Sequence, residues 1–419
     1  AQALIHKSRY SEASALLAPL REEFIQQSTP TAIDALILLS KALVHSHRAD
    51  DGLALARETV VLAQSKGIQG VNQVLEAMIN EASNLIDMQR FQEGFRSADA
   101  ALSLWHQTGE TPSRQIITLY ENTAVAAEAN GDISRAEDSY KQAIALGNLF
   151  FDQPSPVIAW DTGLYGTFLV AQGRLDDAEP YLRDALDMRR KTFGEFDPHT
   201  LYAVAGMGKL DFAKGDFEKA ADWYSQGIEV CRAHSVQSVI CPRLFALRGR
   251  TYSQYGQFAN ADQDVQEAMQ LQRKLSGEES LSYAYILENL IVVQLSQQQY
   301  KDALATADSV LELRKKLNGG MLQTALSTRF YRAEALLALD RVDDALKELL
   351  DIEGEYARLL PHGELQFGIL AAQAKAFERL HRIQAAREIA KRALSVEQKG
   401  KNANPRIITD LKRIANPTT

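Results

Sequence analysis

The chain has 419 residues, 46% of them apolar and 24% charged, with 24 Gly and 11 Pro; these proportions exclude disordered, collagenous and low-complexity classes. Basic residues number 46 against 54 acidic ones, a net charge of −8, and no basic block stands ready to neutralise a row of phosphates, so direct nucleic-acid binding is not expected. No apolar run approaches the roughly 18 residues that read as a membrane span, so no membrane insertion by this segment is expected.

The opening Ala1-Gln2-Ala3-Leu4 has neither an initiator Met nor a basic n-region before an apolar stretch. It reads as the start of a piece cut from a longer polypeptide. Next comes Arg9-Tyr10-Ser11-Glu12-Ala13, the first copy of a recurring unit: a large apolar residue, two polar residues and a small residue. Weaker copies follow at Ala49 to Gly52 and Phe91 to Gly94. Clear ones then run through Ile133 to Ala136, Leu175 to Ala178, Phe217 to Ala220, Phe258 to Ala261, Tyr300 to Ala303, Val342 to Ala345 and Ile383 to Ala386. The small residues at 13, 52, 94, 136, 178, 220, 261, 303, 345 and 386 are spaced by 39, 42, 42, 42, 42, 41, 42, 42 and 41. A fixed spacing of this size is the signature of a repeat array.

Twelve residues before each small residue from 52 onward another one recurs: Ser40, Ala82, Ala124, Gly166, Gly208, Gly249, Ala333 and Ala374, with Ile291 the exception. Two small positions per unit let two helices approach closely. Apolar residues around them follow helical spacing, as in Ala178, Leu182, Ala185 and Leu186. Each unit is therefore expected to be an antiparallel helix pair. Its internal turn is marked by Gly131, Gly173, Gly215 and Gly256, where glycine supplies a left-handed residue. Breakers between pairs include Thr111-Pro112, Pro154, Pro156, Asp197-Pro198, Cys241-Pro242, Gly319-Gly320 and Pro361-His362-Gly363. Ala13 would need a first helix beginning before residue 1, so the opening pair is expected to be truncated. Asn404-Pro405 starts a short amphipathic stretch with Ile407, Ile408, Leu411 and Ile414, expected to cap the last unit. The expected organisation is a solenoid over 1–403 and a capping helix with tail over 404–419.

This pattern resembles the tetratricopeptide repeat, with units lengthened from about 34 residues by roughly a turn per helix. Arg189-Arg190-Lys191-Thr192-Phe193-Gly194-Glu195-Phe196-Asp197-Pro198-His199-Thr200-Leu201 is similar to the linker of kinesin light chain and of long-unit bacterial signalling proteins, with the His and Pro order disturbed. The resemblance implies an all-α, right-handed superhelical solenoid of about ten helix pairs. It also implies a concave wall lined by the first helix of each pair, where a protein or peptide ligand lies. It further suggests the sensory region of a larger protein, such as a serine/threonine kinase or transcriptional regulator whose missing N-terminal domain is the effector. The alternative is a constitutive adaptor of the kinesin-light-chain kind. A cytoplasmic location is favoured, with a periplasmic one open if the parent chain carries an upstream membrane helix.

With the small anchor counted as the twentieth position of a unit, the wall falls at the second, fifth, sixth, ninth and twelfth positions. The sixth carries Asn80, Asn122 and Asn289, amides suited to gripping a peptide backbone; the alternative is that they bond to neighbouring helices. The ninth carries Lys41, Lys209, Arg250 and Lys375, and the second carries Trp160, Tyr202, Arg243 and Tyr285. Cations beside aromatic faces suit an acidic or aromatic peptide, against the alternative that the rings are packing between repeats.

Gly206-Met207-Gly208-Lys209 lacks the spacing and preceding strand of a phosphate loop and reads as a small-residue helix contact. No nucleophile elbow or His-Glu-x-x-His pair is present, so neither catalysis nor a cofactor is expected of this segment. Cys231 and Cys241, with only His234 between them, form no four-ligand metal set. They are expected as two unreactive thiols at a helix connection, with a staple across it the alternative in an oxidising compartment.

Overall fold

The computed structural model describes residues 1–6, 9–46, 48–65, 71–108, 113–318, 325–359, 364–397 and 405–416. The breakers Thr111-Pro112, Gly319-Gly320 and Pro361-His362-Gly363 lie outside them, as does Asn404. The described residues form α-helices in consecutive antiparallel pairs, a solenoid of tetratricopeptide type without strands. The chain divides into two compact units, 1–150 and 151–419.

Unit 1 opens with α1 (Gln2–His6), α2 (Tyr10–Leu17) and α3 (Arg21–Gln27). Between α2 and α3 the helical path tightens into a 3-10 turn, Ala18–Leu20, at Pro19, which has no N–H to donate to the preceding turn. Three pairs follow: α4 (Pro30–Val44) with α5 (Ala49–Ser65), α6 (Val71–Asp87) with α7 (Phe91–Thr108), and α8 (Arg114–Asn130) with α9 (Ile133–Phe150). Unit 2 continues with α10 (Pro156–Ala171) and α11 (Leu175–Phe193), α12 (Leu201–Ala213) and α13 (Phe217–Ala233), α14 (Ile240–Gln254) and α15 (Phe258–Ser276). Then come α16 (Leu281–Ser296) and α17 (Tyr300–Asn318), α18 (Leu326–Ala338) and α19 (Val342–Leu359), α20 (Glu364–Arg379) and α21 (Ile383–Glu397), and last α22 (Pro405–Ala415).

The small anchors sit where helices touch. Ala136, Ala178, Ala220, Ala261, Ala303 and Ala345 expose none of their surface. The second small position works in the same way: a β-carbon on Gly166 would stand 2.8 Å from Leu182 Cγ, and one on Gly249 3.0 Å from the Ala261 carbonyl oxygen. The residue five before each anchor is left-handed in Gly131, Gly173, Gly215 and Gly256, and equally in Gln89, Gln298, Asp340 and His381. Second helices often begin with a staple that charge patterning alone does not reveal. Arg48 binds Asp51, Arg90 binds Glu93, Arg174 binds Asp177 and Arg341 binds Asp344, each through Nε at 2.8–2.9 Å. Such surface pairs contribute at most about 1 kcal/mol each.

In unit 2 one apolar cluster joins Leu201, Tyr224, Ile228, Leu244 and Ile286, and another joins Ile291, Val310, Phe330, Leu349 and Ile369. Burial continues from pair to pair because no pair covers its own apolar face. The expectation of two free thiols is corrected: Cys231 and Cys241 are joined by a disulfide with Cα atoms 5.9 Å apart. The last turn of α13 and the first of α14 meet there, both cysteines are under 7% exposed, and their packing leaves the two side chains facing one another. At the far end α22 places Leu411, Ile414 and Ala415 against Leu370, Ala374 and Ala390. It lies along α20 and α21 as a further first helix would, and two ion pairs tie it to the wall of α20: Lys375 with Asp410 at 3.5 Å and Arg413 with Glu378 at 2.5 Å.

Candidate functional site

Within each unit a first helix packs on its own second helix, on the second helix before it and on the neighbouring first helices, whereas second helices pack principally on first helices. In each unit the first helices therefore form a layer, and the stripe of each that faces away from the second helices is its open wall. In unit 2 the second positions of that stripe fall near the starts of α10, α12, α14 and α16, where each succeeds the other along the wall.

These positions hold Trp160, Tyr202, Arg243 and Tyr285. Trp160 and Tyr202 meet edge to face with ring centroids 5.5 Å apart, yet remain 38% and 39% exposed. They pack between repeats and present surface to a ligand at once. The Arg243 guanidinium lies 5.1 Å from the Tyr285 ring centre, and its buried Nε has no hydrogen-bond partner. Arg189, from α11, lies 5.8 Å from the Trp160 ring centre and donates to the carbonyls of His199 at 2.9 Å and Pro156 at 3.5 Å. Burial pushes its pKa down, with no carboxylate opposing the effect. Lys209 is half-buried and makes no ion pair among the described residues. Arg250 stacks 4.8 Å above the Phe212 ring.

Arginines between the two helices of a pair behave differently. Arg248 grips Asp264 with two hydrogen bonds of 2.7 and 2.8 Å and donates to Ser225. Arg314 holds Glu288, which also accepts from Thr328, and Arg329 and Arg332 share Glu348. Charge is thus compensated inside the array, while Arg189, Lys209 and Arg243 along the wall lack carboxylates.

The expected asparagines are turned inward. Asn80 donates to Ser40 Oγ at 2.7 Å and Asn122 to Ser83 Oγ at 2.8 Å, each bridging to the preceding first helix. Asn289 donates to the Tyr285 carbonyl at 2.8 Å, and all three are at most 8% exposed. Asn80 and Asn122 belong to unit 1. Of the expected residues in unit 2, Trp160 touches Tyr202 and Asn289 bonds to the Tyr285 carbonyl, while Lys209 and Arg250 stand on the successive first helices α12 and α14. Sequence reasoning missed Arg189, whose only signal is that it opens the linker-like stretch 189–201; it lies in α11 itself. Gly206 and Gly208 lie buried within α12, not in a loop that cradles phosphate. Among the described residues no helix is long and apolar enough to cross a membrane.

Residues 158–233, spanning α10 to α13, match the family model described as tetratricopeptide repeat. No curated protein matches the chain in sequence. Among solved structures, a Rap protein complexed with Competence and Sporulation Factor is similar over 88% of this chain and 99% of its own, at 13% identity and a TM-score of 0.62. The apo form of RapI is similar over 88% and 98%, at 12% identity and a TM-score of 0.52. A putative kinesin light chain of Podosopora anserina, with nearly identical TPR-like repeats, covers 49% of this chain and 98% of its own at 16% identity and a TM-score of 0.39. At these identities the Rap likeness is one of fold.

Proposed function

We propose that this chain is a binding protein of tetratricopeptide-repeat type that takes an extended peptide or protein segment along the first-helix wall of unit 2. The observation that carries this reading is the row Trp160, Tyr202, Arg243 and Tyr285, which keeps aromatic surface exposed beside cations lacking carboxylates. Large rings half-covered by one another and flanked by guanidinium groups have the composition of an interface anchor. The ligand chemistry that fits is an acidic or aromatic segment. The Rap structure complexed with Competence and Sporulation Factor gives the fold a precedent for ligand binding.

The wider reading is regulatory. Occupancy of the wall would alter the angle between successive pairs and pass that change to an output domain, for example a serine/threonine kinase or a transcriptional regulator. Each interface need shift only slightly, because contacts are confined to neighbours.

The test is selection of binders from a phage-displayed random dodecamer library on the immobilised chain, followed by fluorescence anisotropy with the enriched peptides. Trp160→Ala with Tyr202→Ala should weaken them about tenfold or more. Failure to enrich any peptide, or binding unchanged in the double variant, would refute the assignment.

A further inference from the structure

Glu334 occupies the ninth position of α18, on the same stripe of the wall as Lys209 of α12, Arg250 of α14 and Lys375 of α20. Several partly buried carboxylates of unit 2 are engaged: Glu288 with Arg314 and Thr328, Glu348 with Arg329 and Arg332, Glu353 with Gln373 and Arg392. Glu334 is half-buried, yet it has no hydrogen bond and no ion pair among the described residues. The one charge acting on it is that of Lys375, whose ammonium is drawn toward Asp410 of α22 at 3.5 Å. On the preceding first helix the equivalent position is Val292, and one turn along α18 stands Leu337, each 8% exposed. Burial accordingly pushes the carboxyl up to about 7.

A carboxylate partly withdrawn from water without a partner lowers the stability of the array that holds it. The same isolation prepares it for a charged group arriving from outside. We propose that Glu334 is the wall's recognition residue for a cation carried by the bound peptide, a Lys or Arg side chain. The inference rests on the peptide-binding reading above and adds a second, opposite polarity to it. The stem of such a side chain would lie along the wall and its charged end would meet the carboxylate. Peptide docking excludes water and strengthens the pair.

A spacing follows. Neighbouring first helices pack directly, and packed helices lie roughly 8–10 Å apart. Two such steps separate Arg250 from Glu334, so roughly 20 Å lies between the cationic and anionic parts of the wall, the reach of about six extended residues. A fitting ligand carries acidic residues and, about six positions away, a basic one.

The experiment runs two selections in parallel at pH 8 from a random dodecamer library, one on the full chain and one on its Glu334→Gln variant. The pool from the unaltered chain should be enriched in Lys or Arg at a set distance from an acidic residue, and the variant's pool should lose that enrichment. A synthetic peptide from the first pool should bind the variant about tenfold more weakly by fluorescence anisotropy. On the unaltered chain its binding should weaken as pH falls from 8 to 6, a measurement that needs no substitution. Equal basic content in both pools, or equal affinity for both proteins, would overturn the role of Glu334 and leave peptide binding standing. Enrichment of nothing on either protein would overturn both.

Discussion

The ring of Tyr224 fills the space that a side chain at Gly208 would need: a β-carbon built on Gly208 would stand 2.4 Å from Tyr224 Cε1. Tyr224 is 1% exposed and has no room to retreat. Gly208→Ala should therefore lower stability by up to about 2 kcal/mol, an overpacking cost of roughly 1–3 kcal/mol less the roughly 1 kcal/mol that Ala gains over Gly within a helix. Calorimetric melting checks it; a Tm equal to or above that of the unaltered chain would show that α12 and α13 can move apart freely.

Removing one partner of the Arg248–Asp264 pair strands the other. Asp264 is 4% exposed, and Arg248→Met should cost about 3 kcal/mol, within the range for a buried charge left unpaired. Arg248→Met combined with Asp264→Leu should recover most of the loss. Urea denaturation of the unaltered chain and the two variants distinguishes this from a purely steric effect, in which the double substitution would be the least stable.

The bond between Cys231 and Cys241 closes a short loop across 10 positions. On the chain-entropy account a loop of that size contributes roughly 2.5–3 kcal/mol by restricting the unfolded chain. Cys231→Ser with Cys241→Ser should lower Tm, and a dithiol reductant should lower the Tm of the unaltered chain while leaving the double variant unaffected. Identical melting with and without reductant would rule the bond out as a stabilising element.

Glu334 makes stability depend on pH with a definite sign. Its carboxyl titrates near 7 in the folded chain against 4.5 for the free group, so between those values the folded state holds a proton that the unfolded state has released. Its contribution to stability is greatest below about 4.5 and declines as pH rises toward 7. The Tm of Glu334→Gln minus that of the unaltered chain should therefore grow from pH 4.5 to pH 8. A flat difference would show that the carboxylate is compensated in solution.

The architecture was legible because its cause is local: two helices approach closely only where both are small, and this constraint recurs visibly at Ala178, Ala220 and their equivalents. Left-handed turns were legible at Gly131 or Gly215. They were invisible at Gln298 and Asp340, which adopt the same φ of 62° and carry the penalty of a β-carbon there. The wall was only half legible. Trp160 and Tyr202 announce themselves by size and register, but an asparagine reads the same whether its amide turns to Ser40 or to a ligand. The isolation of Glu334 depends on Asp410, 76 residues later in sequence, taking the attention of Lys375. Cysteine pairing likewise depends on how the last turn of α13 meets the first of α14.

Because α22 takes the seat of a first helix, it covers the apolar face of the pair before it as a further repeat would. Without that segment, Leu370, Ala374 and Ala390 would offer an open acceptor to any first helix, including one from another molecule.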